Sequence, residues 1–248
     1  MTKYGIDVSK YQGNIDWTKV IASGKAEFVI LRAGIGNEKD IRFEEYYNGC
    51  QANGIPVGAY WYSKAVSEAQ ARQEAQKFLQ VISGKQFAYP LYFDIEMNQQ
   101  FALGKAKCSA IAAAFLNVLE SAGYFAGIYA SKSHLESYLS AEVRSRYAVW
   151  VAHYGVKKTT YSGQFGMWQY SDSGTVSGIP DNQVDFDECY VDYPEIIWKA
   201  GLNGFPKTVE IPIETVDISK METTTKKQTI EVTASMGGKT YSGTLTEQ

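Results

Sequence analysis

The sequence predicts an α/β fold: an irregular (β/α) barrel of the TIM type, with about five βα units followed by shorter strands, and a small β-rich module at the C-terminus. Three observations carry this prediction. Short apolar runs recur through the first 130 residues with helical patterns between them, and strand–helix–strand alternation implies a parallel sheet with right-handed crossovers. After residue 140 the apolar runs continue, but the gaps hold Gly155, Gly163, Gly174 and Gly178 in place of helix. Beyond Phe205 the composition turns to threonine and two-residue alternation. An open doubly wound sheet is the structural alternative.

The elements follow in order. Strands are expected at Tyr4–Val8, Phe28–Ala33, Val57–Tyr62, Leu91–Glu96 and Ala126–Ala130, each a short apolar run. The segments between them read as helix. Ser67–Ile82 is rich in Ala, Gln and Glu, and Lys105–Ala122 carries Ala and Leu at helical spacing and stops at Gly123, a C-cap. His134 also falls in a helix-like segment. The later, shorter strands are Ala148–Ala152, Phe165–Tyr170 and Gln183–Phe186. Gly201-Leu202-Asn203-Gly204-Phe205-Pro206 reads as a linker, so the barrel is expected over 1–203 and the small module over 207–248. That tail has 42 residues, ten of them Thr. It alternates as strands do at Val209–Ile213, Thr229–Val232 and Tyr241–Leu245, and Gly237-Gly238 suits a hairpin turn.

Composition excludes several classes of function. Apolar residues make up 45% and the net charge is −3, so a packed core is affordable and no polyanion-binding surface is expected; nucleic acid is not a partner. No apolar stretch reaches membrane-spanning length. The N-terminal residues Met1-Thr2-Lys3-Tyr4-Gly5 lack an apolar signal segment, which points to synthesis in the cytoplasm. Cys50, Cys108 and Cys189 have neither metal nor disulfide spacing and read as buried thiols. His134 and His153 form no paired-histidine zinc motif, and no Gly-x-Ser-x-Gly elbow is present. No cofactor and no metal is expected.

The chemistry lies in carboxylates. Leu91-Tyr92-Phe93-Asp94-Ile95-Glu96 ends an apolar run on two acids. Two apart on a strand, they project to one face with Cα atoms about 6.6 Å apart. Asp7 closes the first strand and Asp185 lies in the last. Barrel enzymes place working groups where strands end, and four converging acids would cost several kcal/mol in repulsion unless a site uses them. Crowding raises at least one acid constant, as a general acid near neutral pH requires. Aromatics cluster at the same ends: Tyr60, Trp61 and Tyr62, then Tyr129, Trp150, Trp168 and Tyr170. Sugar rings stack on such faces, and Gln169 and Arg32 supply polar partners. Clustered acids also suit a divalent-cation hydrolase, the rival reading.

Together, Gly5-Ile6-Asp7-Val8-Ser9 with Gln12-Gly13, Asp94-Ile95-Glu96, Gly127-Ile128-Tyr129, Trp168-Gln169-Tyr170 and Val184-Asp185 resemble glycoside hydrolase family 25, from Tyr4 to about Tyr190. The resemblance implies an N-acetylmuramidase that hydrolyses the β-1,4 bond between N-acetylmuramic acid and N-acetylglucosamine, with bacterial peptidoglycan as its partner after release or lysis. It implies Glu96 as general acid/base and Asp94 as the group that orients the acetamido substituent or stabilises the oxocarbenium-like state. Asp7 and Asp185 become the flanking acids, and Tyr62 stands near the reacting sugar. Two positions depart from the family pattern: Trp61, where many relatives carry His, and Asp187, where Asn is frequent. A chitinase-like D-x-D-x-E site is disfavoured because Tyr92 stands at the first Asp position. The tail matches no known module; wall binding and self-association into a homo-oligomer are its two expected roles, the scarcity of aromatics favouring the second.

Overall fold

The computed structural model describes residues 1–180, 183–207, 229–236 and 239–246. Contacts divide the chain into two compact units, Met1–Thr208 and Val209–Gln248. The first unit contains β1 (Lys3–Val8), β2 (Phe28–Ile35), β3 (Glu38–Lys39), β4 (Val57–Tyr62), β5 (Leu91–Asp94), β6 (Ala126–Ser131), β7 (Ala148–Ala152), β8 (Met167–Gly174) and β9 (Val184–Cys189). All but β3 close a barrel in the order β1-β2-β4-β5-β6-β7-β8-β9. Closure comes from β1 pairing with β2, Gly5 opposite Phe28 through Val8 opposite Leu31, and with β9 on its other side. Pairing is parallel from β1 round to β8, and β9 runs antiparallel to both its neighbours.

Five crossovers carry helix, as the sequence predicts: α1 (Trp17–Ala22), α2 (Phe43–Ala52), α3 (Glu68–Ile82), α4 (Asn98–Phe101) with α5 (Lys105–Ser121), and α6 (Lys132–Tyr138) with α7 (Ala141–Arg146). Among the described residues no helix separates β7, β8 and β9, and α8 (Tyr193–Ala200) follows them. Local chemistry sets the boundaries. Ser67 caps α3 by accepting from the Gln70 N–H, while Gly123 ends the α5 segment at φ 83°, a conformation costly for any residue with a Cβ.

Strand alternation divides the packing into two layers. Outward residues meet the helices: Trp61, Phe78, Phe115 and Phe93 form a chain of ring contacts with centroids 5.4, 6.2 and 4.8 Å apart. Inward residues fill the barrel, where Phe28, Ile30, Tyr92, Trp150, Met167 and Cys189 are buried together. Glycines make that filling feasible. A Cβ at Gly5 would lie 2.4 Å from the Phe28 ring, and one at Gly127 would lie 2.5 Å from Tyr92.

The bottom of the barrel corrects one expectation. Gly201–Pro206 reads as a linker, yet Asn203 is fully buried. Its Nδ2 donates to Phe87 O at 3.0 Å and Tyr89 O at 2.9 Å, and its Oδ1 accepts from Phe125 N at 2.7 Å. Backbone bonds run from Asn203 N to Gly123 O and from Phe87 N to Asn203 O. The segment is a clasp across the loops that enter β5 and β6. Composition hides it, because the Asn adopts φ 54°, a turn-like conformation.

In the second unit β10 (Thr229–Met236) pairs antiparallel with β11 (Lys239–Thr246), Thr229 opposite Thr246 and Met236 opposite Lys239. The strand expected at Val209–Ile213 and the Gly237-Gly238 turn lie outside the described residues.

Candidate active site

A cavity of about 380 Å³ opens at the C-terminal ends of the parallel strands. It gathers Asp7, Asp94, Glu96 and Asp185 together with Arg32, Tyr62, Tyr129, Trp150 and Gln169. Register explains the convergence. Asp94 stands level with Tyr62 on β4 and with Tyr129 on β6, and Asp7 faces Asp185 across the β1–β9 pair. Asp185 lies at the start of its strand, just after Val184, and it reaches the rim where the other strands end only because β9 is reversed. The strand holding the acid pair is shorter than expected: β5 stops at Asp94, and Glu96 sits in the turn leading into α4.

Trp168 does not line the cavity. Gln169 faces inward, so Trp168, one residue before it on β8, faces outward. It packs in the outer layer and donates its Nε1–H to His153 O at 2.9 Å. Trp61 is likewise turned outward and bonded to Gly36 O. Sequence reading also left unassigned several lining residues: Ser9, Tyr11 and Gln12 after β1, Tyr154 after β7, and Asp172 and Gln183. Those after β1 and β7 follow barrel strands directly, the position that pointed to Asp7.

The acids are held in different ways. Asp7 Oδ2 accepts from Gln169 Nε2 at 2.6 Å. Gln169 Oε1 in turn accepts from the hydroxyls of Tyr129, at 2.6 Å, and Tyr154. Asp94 is buried and its Oδ1 has no hydrogen-bond partner among the described residues. Arg32 Nε bonds Asp40 Oδ2 at 2.7 Å in a buried ion pair, and Asp40 also accepts backbone N–H groups of Lys10 and Arg42. The guanidinium lies 5.0 Å from the Tyr11 ring centre. Below the rim, Trp150 Nε1 donates to Asp187 Oδ1 at 2.8 Å, and Asp187 Oδ2 is buried without a partner among the described residues.

Electrostatics follow from this crowding. Burial pushes the Asp7 carboxyl well above its usual range; Asp185 and Asp187 push further and the Gln169 bond opposes. Burial and the neighbouring Glu96 do the same to Asp94, against the pull of Arg32. Glu96 is exposed at the mouth, yet protein atoms crowd it enough that desolvation raises its pKa, the nearby Tyr129 hydroxyl pulling the other way. Both descriptions hold for a carboxyl at the lip of a cleft: solvent reaches it on one side and low-dielectric walls enclose the others. Burial, then Glu96 and Asp94, push the Tyr62 hydroxyl up to about 12. Such a site retains protons on carboxyls at pH values where exposed acids have lost theirs.

The sequence model of the glycosyl hydrolases family 25 matches residues 6–179. An autolytic lysozyme from Clostridium acetobutylicum is 30% identical over 187 residues, covering 74% of this chain and 55% of that protein. Lysozyme M1 from Streptomyces globisporus is 30% identical over 190 residues, covering 71% of this chain and 64% of its own length. The chain thus spans a little over half of the first relative and under two thirds of the second. Among solved structures, the bacterial lysozyme from Streptomyces coelicolor superposes with a TM-score of 0.68 at 26% identity, covering 80% of this chain and 96% of that one. The CTP1L endolysin gives a TM-score of 0.68 at 26% identity, covering 79% and 69%. With the family model matched over residues 6–179, most of the chain, the chain belongs to the glycosyl hydrolases family 25.

Proposed function

We propose that the protein is a lysozyme that cleaves the β-1,4 bond between N-acetylmuramic acid and N-acetylglucosamine in bacterial peptidoglycan. One observation carries the reading: Glu96, its pKa raised by burial, stands at the lip of a sugar-sized cavity that also gathers Asp7, Asp94 and Asp185. In the mechanism, protonated Glu96 donates to the glycosidic oxygen as that bond breaks. Positive charge developing at the anomeric carbon is stabilised by the carboxylates around it. The acetamido carbonyl of the substrate, oriented by Asp94, bonds to the anomeric carbon from the opposite face. Glu96, now a carboxylate, takes a proton from the water that opens this intermediate, so the configuration is retained. Asp7 and Asp185 flank the reacting sugar, and Tyr62, Tyr129, Arg32, Gln169 and Trp150 shape its pocket. The relatives named as lysozymes support the substrate class.

Mass spectrometry of muropeptides after digestion of purified walls tests the bond. New reducing-end N-acetylmuramic acid is expected, and reducing-end N-acetylglucosamine would contradict it. Glu96→Gln is expected to lower turnover at least ~10²-fold. Proton NMR is expected to find the β-anomer released first, and first release of the α-anomer would replace retention by inversion. The unit from Val209 is proposed to act in self-association or docking. Comparison of the full chain with one ending at Thr208 by light scattering and wall pull-down separates that role from wall binding.

A further inference from the structure

The strand that carries the acid pair ends at Asp94, two residues before Glu96. The extended backbone that would set the direction of Glu96 therefore stops short of it, and something else must hold the turn. Gln100, the third residue of α4, is fully buried. Its Oε1 accepts the Met97 N–H at 3.1 Å, the peptide group next to Glu96. Its Nε2 donates to Ala65 O at 3.0 Å and to Ser63 O at 3.3 Å, in the turn that follows Tyr62. The Cys108 thiol donates to the Gln100 carbonyl oxygen, tying it to α5.

The second turn is itself fixed. Ser63 N donates to Asp94 O at 2.9 Å, and Ser63 Oγ accepts from Ala65 N at 3.1 Å. Buried Glu74 on α3 accepts from Lys64 N at 3.0 Å. One amide side chain thus links the backbone on the far side of Glu96 to the backbone on the far side of Tyr62. Both groups line the cavity, at the ends of the neighbouring strands β4 and β5. Both ends of that side chain are used, and neither reaches the cavity itself.

We infer that Gln100 is a positioning residue that clasps the Glu96 turn to the Tyr62 turn and so fixes the proposed general acid over the scissile bond. The inference rests on the proposed role of Glu96. Misplacement of a reacting group by about 1 Å can cost ~10²-fold in rate. The clasp also keeps Glu96 against its desolvating walls. Without it the carboxyl moves toward water and its pKa falls toward the ordinary value. A general acid must be protonated, so activity is lost as pH rises through that pKa, and a lower pKa moves this alkaline limb to lower pH.

Three variants of the full chain test this on soluble peptidoglycan fragments. Gln100→Leu removes every polar bond at similar size. Gln100→Glu keeps the acceptor for Met97 N–H while losing donors. Glu96→Gln reports on the functional reading itself. Expected for Gln100→Leu is a fall in kcat of ~10-fold or more, KM within about twofold of wild type and an alkaline limb displaced to lower pH; Gln100→Glu shows a smaller loss of kcat. A purely structural residue would lower Tm while leaving the limb in place and kcat per folded molecule unchanged, and that result overturns the inference. If Gln100→Leu does not fold, wild-type kcat and pH profile in Gln100→Glu overturn it alone. Full activity in Glu96→Gln defeats the functional reading instead, whereas an inactive Glu96→Gln beside a wild-type-like Gln100→Leu defeats only the clasp.

Discussion

At the bottom of the barrel, Asn203 is buried with both side-chain polar atoms bonded, three hydrogen bonds reaching Phe87, Tyr89 and Phe125. At the top, Asp94 and Asp187 are equally buried, and each leaves one carboxyl oxygen without a partner among the described residues. A buried polar group without a partner costs about 1–3 kcal/mol, while a satisfied one contributes about 1 kcal/mol net. The same fold therefore binds its loops together at one end and accepts strain at the other. That division matches the way barrels separate stability from chemistry. The unpaired oxygens and crowded acids at the top keep carboxyl protons in place, and the clasp at the bottom helps to offset their cost.

The contrast breaks first at the bottom. Asn203→Ala leaves one N–H and two carbonyl groups unpaired and places a Cβ residue without a capping amide at positive φ. A loss of about 3 kcal/mol is expected. For a body of this size that is a fall in Tm of roughly 6–12 °C, measured by thermal unfolding. The loss should be the same across neutral and acidic pH, since no ionisable group takes part, and turnover per folded molecule should not change. Impaired turnover with intact stability would mean that the clasp belongs to the site.

A smaller effect of opposite sign is expected at the top. Burial raises the folded pKa of Asp187 well above its unfolded value, so the folded chain binds this proton more tightly. The stability this group contributes is complete below the unfolded pKa and is lost as pH rises toward the folded one. Each unit of upward displacement costs about 1.4 kcal/mol once pH exceeds it. Asp187→Asn keeps the acceptor for Trp150 and removes the ionisation. Its Tm should equal that of the wild type near pH 3, roughly a unit below the ordinary Asp value, and exceed it increasingly toward neutrality. A constant difference at all pH values would assign the effect to packing.

Much of the barrel was legible because its signal is local. Apolar runs and helical spacing located the eight barrel strands to within a few residues and placed helices in the first five crossovers alone. Strand direction was not legible, since alternation reads the same in both senses; the antiparallel β9 that delivers Asp185 to the rim had to be seen. Trp168 and Gln169 are neighbours on one strand and cannot both face inward, and composition could not say which of the two does. Glu96 reads as strand by its spacing from Asp94, but the chain turns after Asp94, and the bonds that hold it come from Gln100, distant from any acidic motif. Asn203 sits between glycines that resemble a linker, and its role depends on partners more than 75 residues away in sequence.

The most direct test of a cleft whose desolvating walls keep a proton on Glu96 is a carbon NMR titration of the side-chain carboxyls, with the Glu96 resonance assigned by its absence in Glu96→Gln. A Glu96 pKa above the ordinary glutamate value of about 4.3, matching the alkaline limb of the activity profile, is the result this account predicts. A value at or below the ordinary one, with activity persisting well above it, would contradict the account.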